Sequence, residues 1–226
     1  MGDPEVVVPQ MEEKTESYLP SLDFKKKLVG KSVLLTGGTG AVGSAVARKL
    51  LKCNLRKLVI FVRDRDNLDP KLASMLLNNE FPGVLFVENL DLREPQRIEQ
   101  KFQSAMLRHF EGILDTVIIC HGIVVEKGLI NCTTPDFDQA MLVNVRSVMH
   151  LVSLSVPFLK VQKKSSITIL TSAQGSKPDP KAPVMSVTSA MIHQLIKCAA
   201  LETAYHGVRV NGVAAGPIIS KARTNT

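Results

Sequence analysis

Apolar positions along this chain gather into short runs, separated by longer stretches that mix apolar and polar residues. Six runs, Ser32 to Thr36, Lys57 to Val62, Val84 to Glu88, Thr116 to Cys120, Ser166 to Leu170 and Arg209 to Val213, have the length and composition of strands. Helices are predicted between them, near residues 41–52, 94–109, 136–160 and 183–205. Apolar strands alternating with helices specify a parallel sheet covered on both faces, an α/β fold of the doubly wound kind. Residues 1–25 carry scattered charges, Pro4, Pro9 and Pro20, and no sustained period. They are assigned to an extension before a single domain spanning 26–226.

The first run ends in a turn with glycine at three spaced positions, Thr36-Gly37-Gly38-Thr39-Gly40-Ala41-Val42-Gly43, and the Ala- and Leu-containing stretch after it suits a helix. Strand, tight turn and helix together form a phosphate-binding unit. One glycine permits backbone angles that a Cβ forbids, one lets the main chain approach a pyrophosphate, and one lets the helix pack on the strand. The helix N-terminus supplies free N–H groups and partial positive charge. Thr36, Gly37, Thr39, Gly40, Ala41, Val42 and Gly43 are therefore the expected pyrophosphate-side contacts of a Rossmann-type domain.

In such a sheet the ligand lies beyond the carboxyl ends of the strands, so the other strand exits predict the rest of the site. Arg63 follows the second strand, where an acid would bind the adenosine ribose of NAD and an arginine would bind a 2′-phosphate. NADP(H) is the expected cofactor; the alternative is a surface arginine paired with Asp64 or Asp66. Asp91, with Leu92 beside it, is placed to accept from the adenine amino group. The fourth exit, Cys120-His121-Gly122, offers Gly122 as a place for backbone to lie against the cofactor and His121 as a group that titrates near neutrality.

Composition narrows the rest. The 226 residues are 45% hydrophobic with a formal charge of +7, but the basic residues are spread along the chain. With no Trp and no nucleic-acid motif, a nucleic-acid partner is not expected. Cys53, Cys120, Cys132 and Cys198 show no metal-ligand spacing, and all but Cys132 sit in apolar contexts, as buried reduced thiols do. No metal and no membrane-spanning segment is expected. Val6 stands where a myristoylation motif after Met1-Gly2 wants Ser or Thr, and the cytoplasm is the expected location.

From about Gly30 to Pro217 the chain resembles the short-chain dehydrogenase/reductase family. The glycine turn is similar to the family's TGxxGxxG variant, with Ala41 where a glycine is commonest. Val143-Asn144-Val145 resembles the segment whose asparagine holds a proton-relay water, and Ile169 to Ala173 resembles the strand end that carries the catalytic serine, here Ser172. Arg209 to Pro217 is similar to the RVNxVxPG strand and nicotinamide-side loop, which puts Gly216 and Pro217 at the cofactor and Ala215 where proline is usual.

The resemblance fails at its chemical centre. Pro183 to Met191 aligns without a gap to the YxxxK segment and puts Met185 at the tyrosine and Ser189 at the lysine. In the family the tyrosine donates a proton to the developing oxyanion, while the lysine lowers the phenol's pKa and holds the nicotinamide ribose. The expectation is a catalytically impaired, NADP(H)-binding member with a structural or regulatory role. The alternative is an active NADP-dependent oxidoreductase whose proton comes from His121, His193 or water. Tyr18 lies in the extension and Tyr205 at the far end of the helix, while Lys197 continues the row of Ser189 and His193 away from the site. The ending at Thr226 is expected to lack the family's substrate lid and last strand, leaving an open edge for a second copy or a protein partner. A truncated chain or splice form has the same ending.

Overall fold

The computed structural model describes residues 24–78, 84–162 and 164–218. Six strands, β1 (Ser32–Thr36), β2 (Lys57–Val62), β3 (Val84–Asn89), β4 (Thr116–Ile119), β5 (Ser166–Ser172) and β6 (Arg209–Ala215), form one parallel sheet in the order β3-β2-β1-β4-β5-β6. The chain winds outward from β1 to β3, returns, and winds the other way from β4 to β6. Its switch point therefore falls between β1 and β4, where such sheets hold their ligands.

Seven helices flank the sheet among the described residues: α1 (Phe24–Leu28), α2 (Ala41–Leu50), α3 (Pro70–Leu77), α4 (Pro95–Ala105), α5 (Thr134–Ala140), α6 (Ser147–Leu159) and α7 (Pro183–Ala204). The alternation of side chains along β1 divides the core. Val33 and Leu35 pack with Leu50, Ile60 and Leu72 on the α2–α3 side, while Leu34 packs with Phe61, Phe102, Leu151 and Ile169 on the α4–α6–α7 side.

The strands lie where the apolar runs predict them, with shifts at their ends: β3 reaches Asn89, β5 reaches Ser172 and β6 reaches Ala215, whereas β4 stops at Ile119. The helix α3 corrects the sequence reading, which has none between β2 and β3. It starts at Asp69, whose carboxylate accepts from Leu72 N–H at 3.1 Å, with Pro70 in the first turn, but buries only Leu72. The predicted helix over 136–160 is three pieces. A capping box between Thr133 and Asp136 starts α5, a π turn spans Met141–Arg146, and α6 carries Pro157 inside it. A second π turn, Met106–Phe110, ends the predicted 94–109 helix.

Two further expectations change. The segments Thr134–Leu159 and Pro183–Ala204 are long and apolar enough to cross a membrane by length and composition, contrary to the sequence reading. Both nevertheless put residues into the sheet's core, among them Leu151, Val152, Ile192 and Ala199. Cys198 is exposed rather than buried. Of the assigned extension, residues 1–23 lie outside the described residues, as do 219–226 of the ending; Phe24 and Lys25 begin α1.

Candidate functional site

The exit of β1 is built on glycines, two of which, Gly37 and Gly43, leave no room for a Cβ against neighbouring backbone. Gly37 has φ +76°, donates to Phe61 O at 3.0 Å, and would set a Cβ 2.6 Å from the backbone nitrogen of His121. A Cβ on Gly43 would stand 2.0 Å from Gly37 O, so α2 sits directly on the turn. Gly38, which the spaced triplet leaves out, also has a packing role: its Cβ would meet Ile60 Cγ2 at 2.3 Å. Gly40 precedes α2 in extended conformation, and no side chain caps the helix. The exposed Gly40 and Ala41 thus lead into a helix N-terminus whose first N–H groups have no side-chain cap, the arrangement that suits an anion. Thr39 is half-buried. Val42 turns its side chain away, into a hollow lined by Leu28, Ala45 and Val46, so only its backbone belongs to the turn.

Arg63 is exposed after β2; among the described residues no carboxylate comes within ion-pair distance of it, and the charge it does act on is Asp91, whose pKa it helps to lower. Asp64 turns instead to Asp66 N–H at 3.0 Å and Asn67 Nδ2 at 2.7 Å, which removes the alternative of an Arg63–Asp64 pair. Beyond β3, the Asp91 carboxylate accepts from Arg93 Nε at 3.0 Å and Nη2 at 2.5 Å, and these bonds hold its pKa below the usual carboxylate range. Leu92 is half-buried against the core. Arg146 donates to Arg93 O at 2.7 Å and fastens this loop to the π turn.

The fourth exit is held by side chains from the same turn. Asn144 accepts from Ile123 N–H at 2.8 Å and donates to Ile123 O at 2.9 Å, so its amide is spent on the loop after β4. Gly122 is exposed, with Asn144 Oδ1 3.4 Å from where its Cβ would be. His121 does not face the site as a free acid. Its Nδ1 lies 2.7 Å from Thr36 Oγ1 and its Nε2 2.7 Å from Ser147 Oγ, and desolvation lowers its pKa to about 4. Burial of the neighbouring Cys120 thiol pushes its pKa up to about 11.

Ser172 ends β5 and accepts from Gln174 N–H at 3.2 Å, capping a short 3₁₀ turn over Ala173–Gly175. That turn lies against α7: a Cβ on Gly175 would meet the Ser189 carbonyl carbon at 2.7 Å and His193 Cε1 at 2.6 Å. Ser189 is 4% exposed and Met185 is half-buried. His193 therefore sits under the turn after β5, with Nδ1 3.4 Å from Ser176 Oγ, while Lys197 is exposed further along. Gly216 and Pro217 are exposed just past β6. Between the β4 exit and the approach to α7 opens a cleft of about 550 Å³, lined by Glu126, Gly128, Asp179, Pro180, Lys181 and Ala182.

The fold thus brings the β1, β2, β3 and β4 exits, Asn144, Ser172 and Met185 to the carboxyl end of the sheet. It places His121 and His193 in structural contacts. Ser147, Arg93 and Arg146 were not singled out in the sequence, because nothing local ties them to the strand exits they hold.

Residues 31–226 match the family model described as short chain dehydrogenase. Two tropinone reductase homologs of Arabidopsis thaliana are 27% identical over 198 residues (85% of this chain, 72% of theirs) and 29% identical over 188 residues (82% and 67%). Among solved structures, NAD+-bound xylitol dehydrogenase superposes with a TM-score of 0.78 at 20% identity, covering 87% of this chain and 74% of that one. A short chain dehydrogenase from Mycobacterium smegmatis gives 0.75 at 21%, covering 84% and 77%.

Proposed function

The chain belongs to the short-chain dehydrogenase/reductase family of oxidoreductases, and from that premise we propose that it binds NADP(H) in a pocket whose proton-transfer machinery is gone. The observation that carries this reading is the pair Met185 and Ser189 on the first turns of α7, at the family's tyrosine and lysine positions.

The residues present fit the nucleotide. Gly37 and Gly43 leave no room for side chains in the turn, α2 begins without a side-chain cap, and Arg63 stands exposed where a 2′-phosphate would lie. Asp91 and Leu92 line the adenine side, and Gly122, Gly216 and Pro217 the nicotinamide side. The nicotinamide supplies hydride, and the carbonyl oxygen it reduces then needs a proton. A thioether has none to give, and Ser189 brings no positive charge. Losing general acid–base help costs on the order of 10²- to 10⁴-fold.

The replacement donors fare poorly. Both nitrogens of His121 are engaged, and His193 packs under the Gly175 turn. Asn144 and Ser172 keep the shape of a site while their polar atoms serve the backbone. We propose a structural or regulatory role for the protein, in the cytoplasm. Among the described residues β6 ends the sheet and is exposed at Asn211 to Ala214, which supports a proposal that this edge takes a second copy or a protein partner. Calorimetry with NADPH and NADH tests the pocket. The reading expects NADPH to bind more tightly and Arg63→Ala to remove the preference; binding of neither nucleotide overturns it.

A further inference from the structure

The π turn Met141–Arg146 reaches three strand exits. Arg146 holds Arg93 beyond β3, and Asn144 holds Ile123 beyond β4. The third connection, to β1, passes through one ring: Val143 O accepts from Ser147 Oγ at 2.6 Å, Ser147 Oγ meets His121 Nε2, and His121 Nδ1 meets Thr36 Oγ1.

The geometry fixes where each proton lies. The Ser147 hydroxyl spends its hydrogen on Val143 O, so at 2.7 Å from His121 it can only accept, and Nε2 must carry a proton. Thr36 is fully buried and its hydroxyl hydrogen needs an acceptor, which Nδ1 provides only when unprotonated. A charged ring would leave that hydrogen without a partner and the buried hydroxyl with its full desolvation penalty. The ring also lies where spacing matters most, since the Cys120–His121 backbone closes on Gly37 too tightly for a Cβ.

We propose that His121 is a positioning residue: as a neutral imidazole protonated on Nε2, it ties Thr36 to the turn Met141–Arg146 and sets the spacing of the β1 and β4 exits around Gly37. Its effect on nucleotide affinity rests on the NADP(H) reading above; its effect on the two exits does not.

The test uses the full chain and three variants. His121→Ala removes both contacts, His121→Gln supplies an amide that can both accept and donate, and Val208→Ala opens core volume at the opposite end of the sheet as a control for lost stability. Nitrogen-15 imidazole spectra at pH 7 are expected to show a neutral ring protonated on Nε2. Native-state exchange of the Gly37 and Ile123 amides is expected to quicken about tenfold or more in His121→Ala, beyond the change in Val208→Ala, with partial recovery in His121→Gln. A charged ring, an Nδ1–H ring, or equal effects of His121→Ala and Val208→Ala would overturn the assignment. If His121→Ala does not fold, Ser147→Ala, which removes one of the ring's partners, takes its place. Calorimetry separates the two readings. A wild-type protein that binds no NADPH refutes the nucleotide pocket and leaves the exchange data to decide on His121. If the wild type binds NADPH, unchanged affinity in His121→Ala refutes the positioning role.

Discussion

Gly43 touches Gly37 across the turn that joins β1 to α2: a Cβ on Gly43 would lie 2.0 Å from the Gly37 carbonyl oxygen. This backbone-to-backbone contact fixes where the helix N-terminus points. Gly43→Ala must displace either the helix or the turn, and overpacking of this kind costs about 1–3 kcal/mol. The expected outcome is a lower Tm together with a loss of NADPH affinity of about tenfold or more, read by calorimetry. Gly37→Ala should be worse, because it adds a positive φ to a clash with the Cys120–His121 backbone.

His121 predicts the pH dependence of stability. Its pKa in the folded chain is lowered to about 4, below its ordinary value of 6.5, so between these values the unfolded state binds the proton more readily. The stabilisation is therefore complete above pH 6.5 and is lost as pH falls toward 4, by at most on the order of 3 kcal/mol. Urea unfolding at pH 7 and 4.5 should show the loss in the wild type and much less of it in His121→Gln.

Asn144→Ala should act on the loop after β4. It leaves the Ile123 N–H and carbonyl without the amide that satisfies both, at a cost of about 1–3 kcal/mol. Faster exchange of the Ile123 amide is expected alongside the lower stability.

Ser172→Ala separates structure from chemistry. The hydroxyl caps the turn at Gln174, and losing such a cap costs about 0.5–2 kcal/mol. The expected result is a modest fall in Tm with NADPH affinity unchanged within about twofold, an interval of about 0.4 kcal/mol.

What was legible in the sequence was what is local. Apolar runs gave the six strands, and glycine spacing located the turn, because a left-handed φ at Gly37 and the close packing at Gly43 allow few other residues. The helix α3 escaped because it buries little beyond Leu72 and its start depends on Asp69 and Pro70. The π turn escaped because the apolar stretch runs unbroken through Met141–Arg146, although the Thr133–Asp136 box that opens α5 was there to be read. Ser147 escaped for another reason: its partner His121 is 26 positions away, and Thr36 another 85, so only the folded sheet brings the three together.

The most direct measurement of the central claim is the rate of NADPH oxidation by the purified protein against a panel of ketones and aldehydes, at NADPH concentrations that calorimetry shows to be saturating. The account predicts a bound cofactor with no turnover above the enzyme-free background. Robust carbonyl reduction that is abolished by Ser172→Ala or Asn144→Ala would contradict it.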